Sequence, residues 1–252
     1  MTDKTFTKVP THVGLIIDGN GRWAKRRGMT RPMGHKAGFA RLKKIIPLAF
    51  RKGVKYISVY CFSTENWNRP QPEVDYLMEL FRDTVTGNFL DEADKKYSKP
   101  GEEKMSKRVR INFMGDPARL PEDIQKGMQD TMQRTKDNDE FVLNLGINYG
   151  AYDEMLIAMN NMIKDGVTNV TKEVFESYLY TCGQPPLDYI IRTSGEHRLS
   201  NFMLWQASYA EFYFPKVHWP DFTEKELDKA LEEFQRRNRR FGAIKEDKKD
   251  ER

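Results

Sequence analysis

Short β-rich runs alternate with amphipathic helical patterns along the 252 residues, and that alternation predicts an α/β fold. The expected core is a central, mainly parallel six-stranded sheet flanked by helices. Two further observations point the same way. Several of the β-rich runs are almost wholly apolar, as strands covered on both faces are. Polar stretches rich in glycine and arginine follow directly on the strands, where open α/β sheets bind their ligands.

The strands are expected at Val13–Ile17, Lys55–Tyr60, Val109–Met114, Phe141–Ile147, Asp188–Ile191 and Glu211–Phe214. Between them, Lys36–Arg51 sets Ala37, Ala40, Ile45, Leu48 and Ala49 along one helical stripe. Val74–Leu90 carries Leu77, Met78, Leu80, Phe81 and Val85. Helices at Glu122–Arg134, Tyr152–Ile163 and Thr171–Tyr180 follow, then a short apolar one at Phe202–Tyr209. Thr223–Arg237 has an Asp/Thr start and a basic end, which suits the helix dipole. The charged Asp91–Lys107 stretch contains Pro100 and Gly101 and reads as an exposed loop or frayed helix end. Ala243–Arg252 reads as a disordered mixed-charge tail, which leaves residues 1–242 as a single domain.

Composition narrows the function classes. A hydrophobic share of 38% supports a real core, and a net charge of +5 permits anionic partners without naming them. Cys61 and Cys182 form no CxxC pair, so neither a zinc site nor a disulfide framework is expected, and reduced thiols suit the cytoplasm. No secretory signal is visible in Met1–Pro10, and no run approaches the roughly 20 apolar residues that span a bilayer. Such a chain meets a membrane, where it does, peripherally from the surface.

The chemistry sits at the strand ends. The first strand runs into Asp18-Gly19-Asn20-Gly21-Arg22-Trp23, where the glycines let the backbone turn and Arg22 and Arg31 can hold a phosphate. A carboxylate repels a phosphate, so Asp18 makes sense with a divalent cation between them. The plainer reading is a strand-to-helix turn with a capping aspartate. GNGRWA also fits the G-x-G-x-x-A dinucleotide fingerprint, but the ribose-binding acid at the end of the next strand is missing. The second strand ends in Ser63-Thr64-Glu65-Asn66-Trp67-Asn68-Arg69, with oxyanion-binding groups and an indole that serves either as a wall for an apolar substrate or as a core anchor. The fifth ends near Arg192, Arg198, Leu199 and Ser200, a second anion-binding set in which Glu196 can pair with an arginine. Glu211, among aromatics, needs a metal or an arginine as partner.

These residues resemble a family, the cis-prenyltransferases of the undecaprenyl diphosphate synthase type. The resemblance is carried by HVGLIIDGNGRWAKRRG, RPMGHKAG, YCFSTENWNRPQPEV, IRTSGEHRLSNFMLWQASYAEFYF, WPDF and RRNRRFG, in that order, from His12 to Gly242. It implies repeated addition of isopentenyl diphosphate to an allylic diphosphate primer, usually farnesyl diphosphate, with cis double bonds and Mg²⁺ as cofactor. It implies that Asp18 is the central catalytic aspartate and a Mg²⁺ ligand, with Glu211 a second ligand. Gly19, Asn20, Gly21, Arg22, Arg31, His35 and Arg69 resemble the cradle of the allylic diphosphate, and Trp23 the residue that closes over it. Arg192, Arg198 and Ser200, with Leu199 between, resemble the isopentenyl diphosphate site. Ser63, Thr64, Glu65, Trp67 and Glu73 match a mobile catalytic segment. Asn66 matches a position proposed for proton removal, although an amide is a poor base and a positioning role suits it better. The resemblance further implies an apolar product tunnel, walled by the Val74–Leu90 helix with Leu143 and Leu145. It also implies a homodimer, with an interface near Phe202–Phe214, and an Arg240-Phe241-Gly242 motif that completes the site. The product suggested is undecaprenyl diphosphate, a cell-wall carrier lipid.

Two other classes compete. One is a different diphosphate or nucleotide transferase on a Rossmann-like sheet, which nucleotide binding would reveal. The other is a nucleic-acid module built on Arg236–Arg240, although such a run is more often a solvated helix face, and no nucleic-acid partner is expected.

Overall fold

The computed structural model describes residues 5–85, 88–97, 101 and 103–237. Six strands, β1 (His12–Ile16), β2 (Tyr56–Ser63), β3 (Val109–Met114), β4 (Phe141–Tyr149), β5 (Tyr189–Arg192) and β6 (Glu211–Tyr213), form one sheet in the order β3-β4-β2-β1-β5-β6. Every pairing is parallel. The helices are α1 (Asn20–Lys25), α2 (Arg31–Arg51), α3 (Gln71–Val85), α4 (Asn88–Tyr97), α5 (Met105–Arg108), α6 (Glu122–Thr135), α7 (Ala151–Lys164), α8 (Lys172–Ser177) and α9 (Glu224–Gln235).

Side chains alternate across a strand, so each strand feeds two layers. Val13 and Leu15 of β1, Ile57 and Val59 of β2, and Leu143, Leu145 and Ile147 of β4 share one apolar cluster with the inner faces of α2, α3, α6 and α9. Ile16, Tyr60, Tyr149 and Ile190 enter a second cluster, closed by Leu187, Phe202, Met203 and Ala207. All nine residues of β4 are buried, Asn144 and Asn148 among them, as in a strand covered on both faces.

Three expectations change. Phe202–Tyr209 is a series of turns rather than a helix. Ser200, Asn201 and Met203 have φ of 51°, 61° and 45°, a left-handed backbone that no α-helix accepts, and its apolar residues are buried for packing and not for helical amphipathicity. Of the described residues in Asp91–Lys107, Asp91–Tyr97 lie in α4 and Met105–Lys107 in α5. Its polarity hid the tie that holds it: the buried Asp94 carboxylate accepts from Met105 N–H at 2.5 Å and from Ser106 N–H at 3.0 Å. The Val74–Leu90 helix starts earlier, with Gln71–Val85 in α3 and Asn88–Leu90 in α4. Among the described residues no helix is long and apolar enough to cross a membrane. The Ala243–Arg252 stretch and the Arg240-Phe241-Gly242 motif lie outside the described residues.

Candidate active site

The chain leaves β1 through Asp18 and Gly19 into α1. Gly19 has φ of 100°, and a Cβ there would lie 2.0 Å from Ser194 Oγ and 2.6 Å from His218 Nδ1. Only glycine meets both demands. Gly34 and Gly38, one turn apart on α2, leave the gap into which Asn20 packs; Cβ atoms there would meet Asn20 O at 2.1 Å and Asn20 Oδ1 at 2.2 Å. The Asp18 carbonyl accepts from Thr193 Oγ1 (2.7 Å), Ser194 Oγ (3.0 Å) and Trp219 N–H (3.0 Å). The loop is thereby fixed from β5 and from the segment before α9.

Its carboxylate bridges two arginines. Arg22 reaches Oδ1 and Arg192 reaches Oδ2, each at 3.1 Å. Arg192 is only 4% exposed and also donates to Arg198 O (2.6 Å) and Ser200 Oγ (2.7 Å), while its Nε has no partner. Arg22 and Arg198 share Glu196, at 2.5 and 2.7 Å. Those two arginines hold the Glu196 carboxyl below its usual range, with the Arg198 hydrogen bond the larger cause. The arginine pairing expected for Glu196 is therefore present twice.

A second cationic group surrounds Glu73 at the start of α3. Arg31 Nε (2.9 Å), His35 Nε2 (3.0 Å) and Arg69 NH1 (3.1 Å) all reach its carboxylate. Burial pushes the Glu73 pKa up, but the hydrogen bonds from Arg31 and His35 and the charge of Arg69 outweigh it, and the net shift is downward. Burial lowers the His35 pKa, the Glu73 hydrogen bond opposes this, and the charges of Arg69 and Arg31 add to the lowering. A neutral His35 then donates its single ring proton from Nε2.

Between the two groups lies a cavity of about 210 Å³. Asp18, Asn20, His35, Ser63, Asn66, Arg69, Arg192 and Ser200 give it polar walls, and Ile16, Ile17, Tyr60, Cys61 and Leu77 apolar ones. It opens at the carboxyl ends of β1, β2 and β5, where a parallel sheet places its ligands. Asn20 Oδ1 and Arg192 Nε are buried there without partners. Ser194, Ser200, Asn201 and Met203 have positive φ, so strained backbone concentrates beside the cavity.

A family model described as "Putative undecaprenyl diphosphate synthase" matches residues 16–242. The chain belongs to that prenyltransferase family. It is 47% identical over 238 residues to an isoprenyl transferase of Fusobacterium nucleatum, covering 94% of this chain and 97% of that protein. It is 43% identical to an isoprenyl transferase of Clostridium perfringens, covering 94% of this chain and 92% of that protein. Among solved structures it resembles lavandulyl diphosphate synthase from Lavandula x intermedia in complex with dimethylallyl diphosphate: TM-score 0.83, 33% identity, 93% of this chain and 98% of that one. It also resembles a probable undecaprenyl diphosphate synthase from Campylobacter jejuni: TM-score 0.71, 30% identity, 94% of this chain and 100% of that one. The protein is thus an enzyme that transfers prenyl groups, of the kind that elongates chains in the cis sense.

Within this prenyltransferase the expected residues divide. Asp18, Asn20, His35, Ser63, Asn66, Arg69, Arg192 and Ser200 line the cavity. Gly19, Gly21, Arg22, Arg31 and Arg198 border it through the contacts above, with Gly21 beneath the Arg31 guanidinium. Leu199 packs on the second apolar cluster. Trp23 is turned to Asp221, with Nε1 2.8 Å from Oδ1, beneath the Arg27 guanidinium. Thr64 and Glu65 engage Asp153 and Asn201 instead of the cavity. Trp67 is the core anchor of its two readings: it packs edge-on against Phe62 and donates to Asn148.

Glu211 is not brought to Asp18 within the chain. It pairs in register with Tyr189, which pairs with Val13, so it lies at the amino end of the sheet and meets Arg237 at 3.6 Å. Five residues of strand separate the two levels, about 16 Å. Its arginine alternative is therefore the one met here. Sequence reasoning passed over His218, which lies 2.8 Å from Ser194 Oγ, gave Leu77 only a place in the tunnel wall and gave Tyr60 no role of its own. Tyr60 opens the YCFSTENWNRPQPEV motif and donates to Ser200 O at 3.1 Å, but in sequence it is one more aromatic of a strand.

Proposed function

We propose that the enzyme condenses isopentenyl diphosphate repeatedly onto an allylic diphosphate primer, farnesyl diphosphate, to give a long-chain Z-polyprenyl diphosphate of undecaprenyl length. The observation that carries this reading is the Asp18 carboxylate at the mouth of one cavity, between the Arg192–Ser200 group and the Arg31–His35–Arg69 group. Two diphosphates can then face each other across one carboxylate.

Among the described residues no three His, Cys, Asp or Glu side chains form a metal cage. That fits Mg²⁺, which takes one or two carboxylates and completes its shell with water and substrate phosphates. Asp18 would hold it. When bound, the ion supplies charge stabilisation for the departing diphosphate.

The protein's own groups do the rest. Arg31, His35 and Arg69 bind the allylic diphosphate, exchanging Glu73 for a ligand of greater charge. As the allylic C1–O bond breaks they hold the leaving group, donors aimed where charge develops. Arg192, Arg198 and Ser200 orient isopentenyl diphosphate so that its C4 meets that C1. Asn66 Oδ1 already accepts from Ser63 N–H at 3.2 Å, so the amide offers the cavity its N–H₂. We therefore read Asn66 as a donor that orients a diphosphate oxygen, and that oxygen takes the proton lost from C2. The growing chain passes beside Leu77 into the layer between the sheet and α3, as an apolar tunnel. Residues 1–242 act as one catalytic domain.

The test is labelled isopentenyl diphosphate with farnesyl diphosphate, with Mg²⁺ or EDTA, and chromatography of the products. A Mg²⁺-dependent ladder ending in one dominant length is expected. A single condensation product, or none, would refute the elongation reading. Arg198→Ala is expected to raise KM for isopentenyl diphosphate about tenfold with kcat nearly unchanged, because its side chain is 58% exposed and binds without touching the reacting carbons. An unchanged KM would place that diphosphate elsewhere.

We also propose that the enzyme is a homodimer. On α7, Tyr152, Leu156, Met159 and Ile163 recur on one face and are exposed, Ile163 by 75%, and Tyr209 before β6 and Phe212 within it are exposed too. Such faces fit a second copy. Sedimentation should give a dimer that Leu156→Glu with Ile163→Glu converts to monomer; a monomeric wild type would refute it.

A further inference from the structure

Trp67 does not line the cavity, yet Asn66 beside it and Arg69 two residues on both do. Whatever fixes the indole fixes them. They ride on a short 3-10 turn, Thr64–Asn68, whose own support is the Ser63–Asn66 capping box. Turns of this type have poor hydrogen-bond geometry and need ties from outside.

Thr64 and Glu65 tie the start of the turn to Asp153 and Asn201, and Trp67 ties its end, between Asn66 and Arg69. The indole Nε1 donates to Asn148 Oδ1 at 2.7 Å, and Asn148 Nδ2 donates to Asp116 O at 2.7 Å. One buried amide, 4% exposed, thus joins the turn after β2, the end of β4 and the loop after β3. From that same loop the Arg119 guanidinium lies 4.8 Å from the Trp67 ring centroid. Asn148 has φ of 51°, where glycine would be freer of strain. Backbone conformation alone therefore does not call for asparagine, whereas an amide that accepts on one side and donates on the other is what these contacts use.

We infer that Asn148 and Arg119 are positioning residues for the condensation: they latch Trp67 and so set the orientation of Asn66 and Arg69 in the cavity. The inference rests on the function proposed above. It differs from a purely structural role in one respect. If Asn148 is present only to adopt a left-handed backbone, glycine replaces it without loss.

The experiment compares full-length wild type with Asn148→Gly, Arg119→Ala, Arg119→Lys, Trp67→Phe and the Asn148→Gly/Trp67→Phe double variant. Melting temperature, kcat, both KM values and the Kd of farnesyl thiodiphosphate, an unreactive primer analogue, are measured. Asn148→Gly should melt within about 2 °C of wild type while kcat falls about tenfold and the analogue's Kd rises at least about threefold. Trp67→Phe, which keeps a ring and removes the N–H, should show the same defect. The double variant should be no worse than the worse single one, because both delete one hydrogen bond. Arg119→Ala should lose about threefold and Arg119→Lys should recover most of it, since an ammonium still sits over the ring. Wild-type kcat and Kd in Asn148→Gly, or losses that multiply in the double variant, would overturn the latch alone. A wild type that incorporates no isopentenyl diphosphate would overturn the functional reading and the latch with it.

Discussion

Asp18→Ala is expected to fold and to lose about three orders of magnitude in turnover. The carboxylate joins Arg22 and Arg192, each at 3.1 Å, at the wall of the cavity. Folding survives because the loop is held by the Asp18 carbonyl, which accepts three hydrogen bonds that an alanine keeps. The buried Arg192 also keeps the Arg198 carbonyl and the Ser200 hydroxyl, so its charge stays partly satisfied. A modest stability loss, about 1–2 kcal/mol, follows from removing one partner of a buried cation. Labelled incorporation measures kcat, and a thermal melt measures the fold. A kcat within about tenfold of wild type would remove Asp18 from the chemistry. Asp18→Asn keeps the shape and one acceptor oxygen while removing the charge, and an equal loss there assigns the effect to the carboxylate rather than to the volume of the side chain.

Much of the fold was legible because burial on both sides of a parallel sheet writes itself as apolar runs. The nine buried residues of β4 and the alternation of β2 between two clusters are direct physical consequences. The polar sets were legible for a related reason. A carboxylate among arginines at three strand ends has no cheap explanation in a core. What was not legible depends on partners distant in sequence. Trp23 and Trp67 look alike as aromatics next to polar motifs; that one turns to Asp221 and the other to Asn148 is settled by residues 198 and 81 positions away. The family resemblance set Glu211 beside Asp18 as a second metal ligand, but register decides its level in the sheet, and register is not local. Phe202–Tyr209 deceived for a third reason. Its apolar content reflects packing under the sheet, and left-handed residues around it rule out the helix that composition suggests.

The same non-locality shapes the site's electrostatics. Arg22, Arg31, Arg69, Arg192 and Arg198 each already hold an internal carboxylate or carbonyl. The arrangement is stable empty and still offers a diphosphate its binding energy, because phosphate oxygens carry more charge than Glu73 or Glu196 can. The cost of exchange is small at the rim, where Arg31 and Arg198 are more than half exposed.

The second large effect is expected far from the cavity, at His12. A polar row crosses the sheet's second face: Asn112 Nδ2 donates to Asn144 Oδ1 (3.2 Å), Asn144 Nδ2 donates to Ser58 Oγ (2.9 Å), and Ser58 Oγ lies 2.8 Å from His12 Nε2. His12 Nδ1 is 2.8 Å from Pro185 O. A carbonyl only accepts, so the ring proton sits on Nδ1, and Nε2 accepts from the Ser58 hydroxyl. A second proton on Nε2 would meet that hydroxyl as donor against donor. Burial accordingly lowers the His12 pKa from 6.5 to about 4, although the Pro185 hydrogen bond and the Asp188 charge resist it. The folded pKa is depressed, so between pH 6.5 and 4 the unfolded chain binds the proton and the folded one does not. Stability must then fall as pH drops through that window. From pH 7.5 to pH 4.5 the loss from this one group is about 2.5 kcal/mol. Urea unfolding of wild type and His12→Gln at a series of pH values isolates it, since carboxylate titration is common to both. The wild-type curve should steepen below about pH 6.5 relative to the variant. Parallel curves would mean that His12 takes up its proton in the folded state, and that the hydroxyl of Ser58 turns to let it.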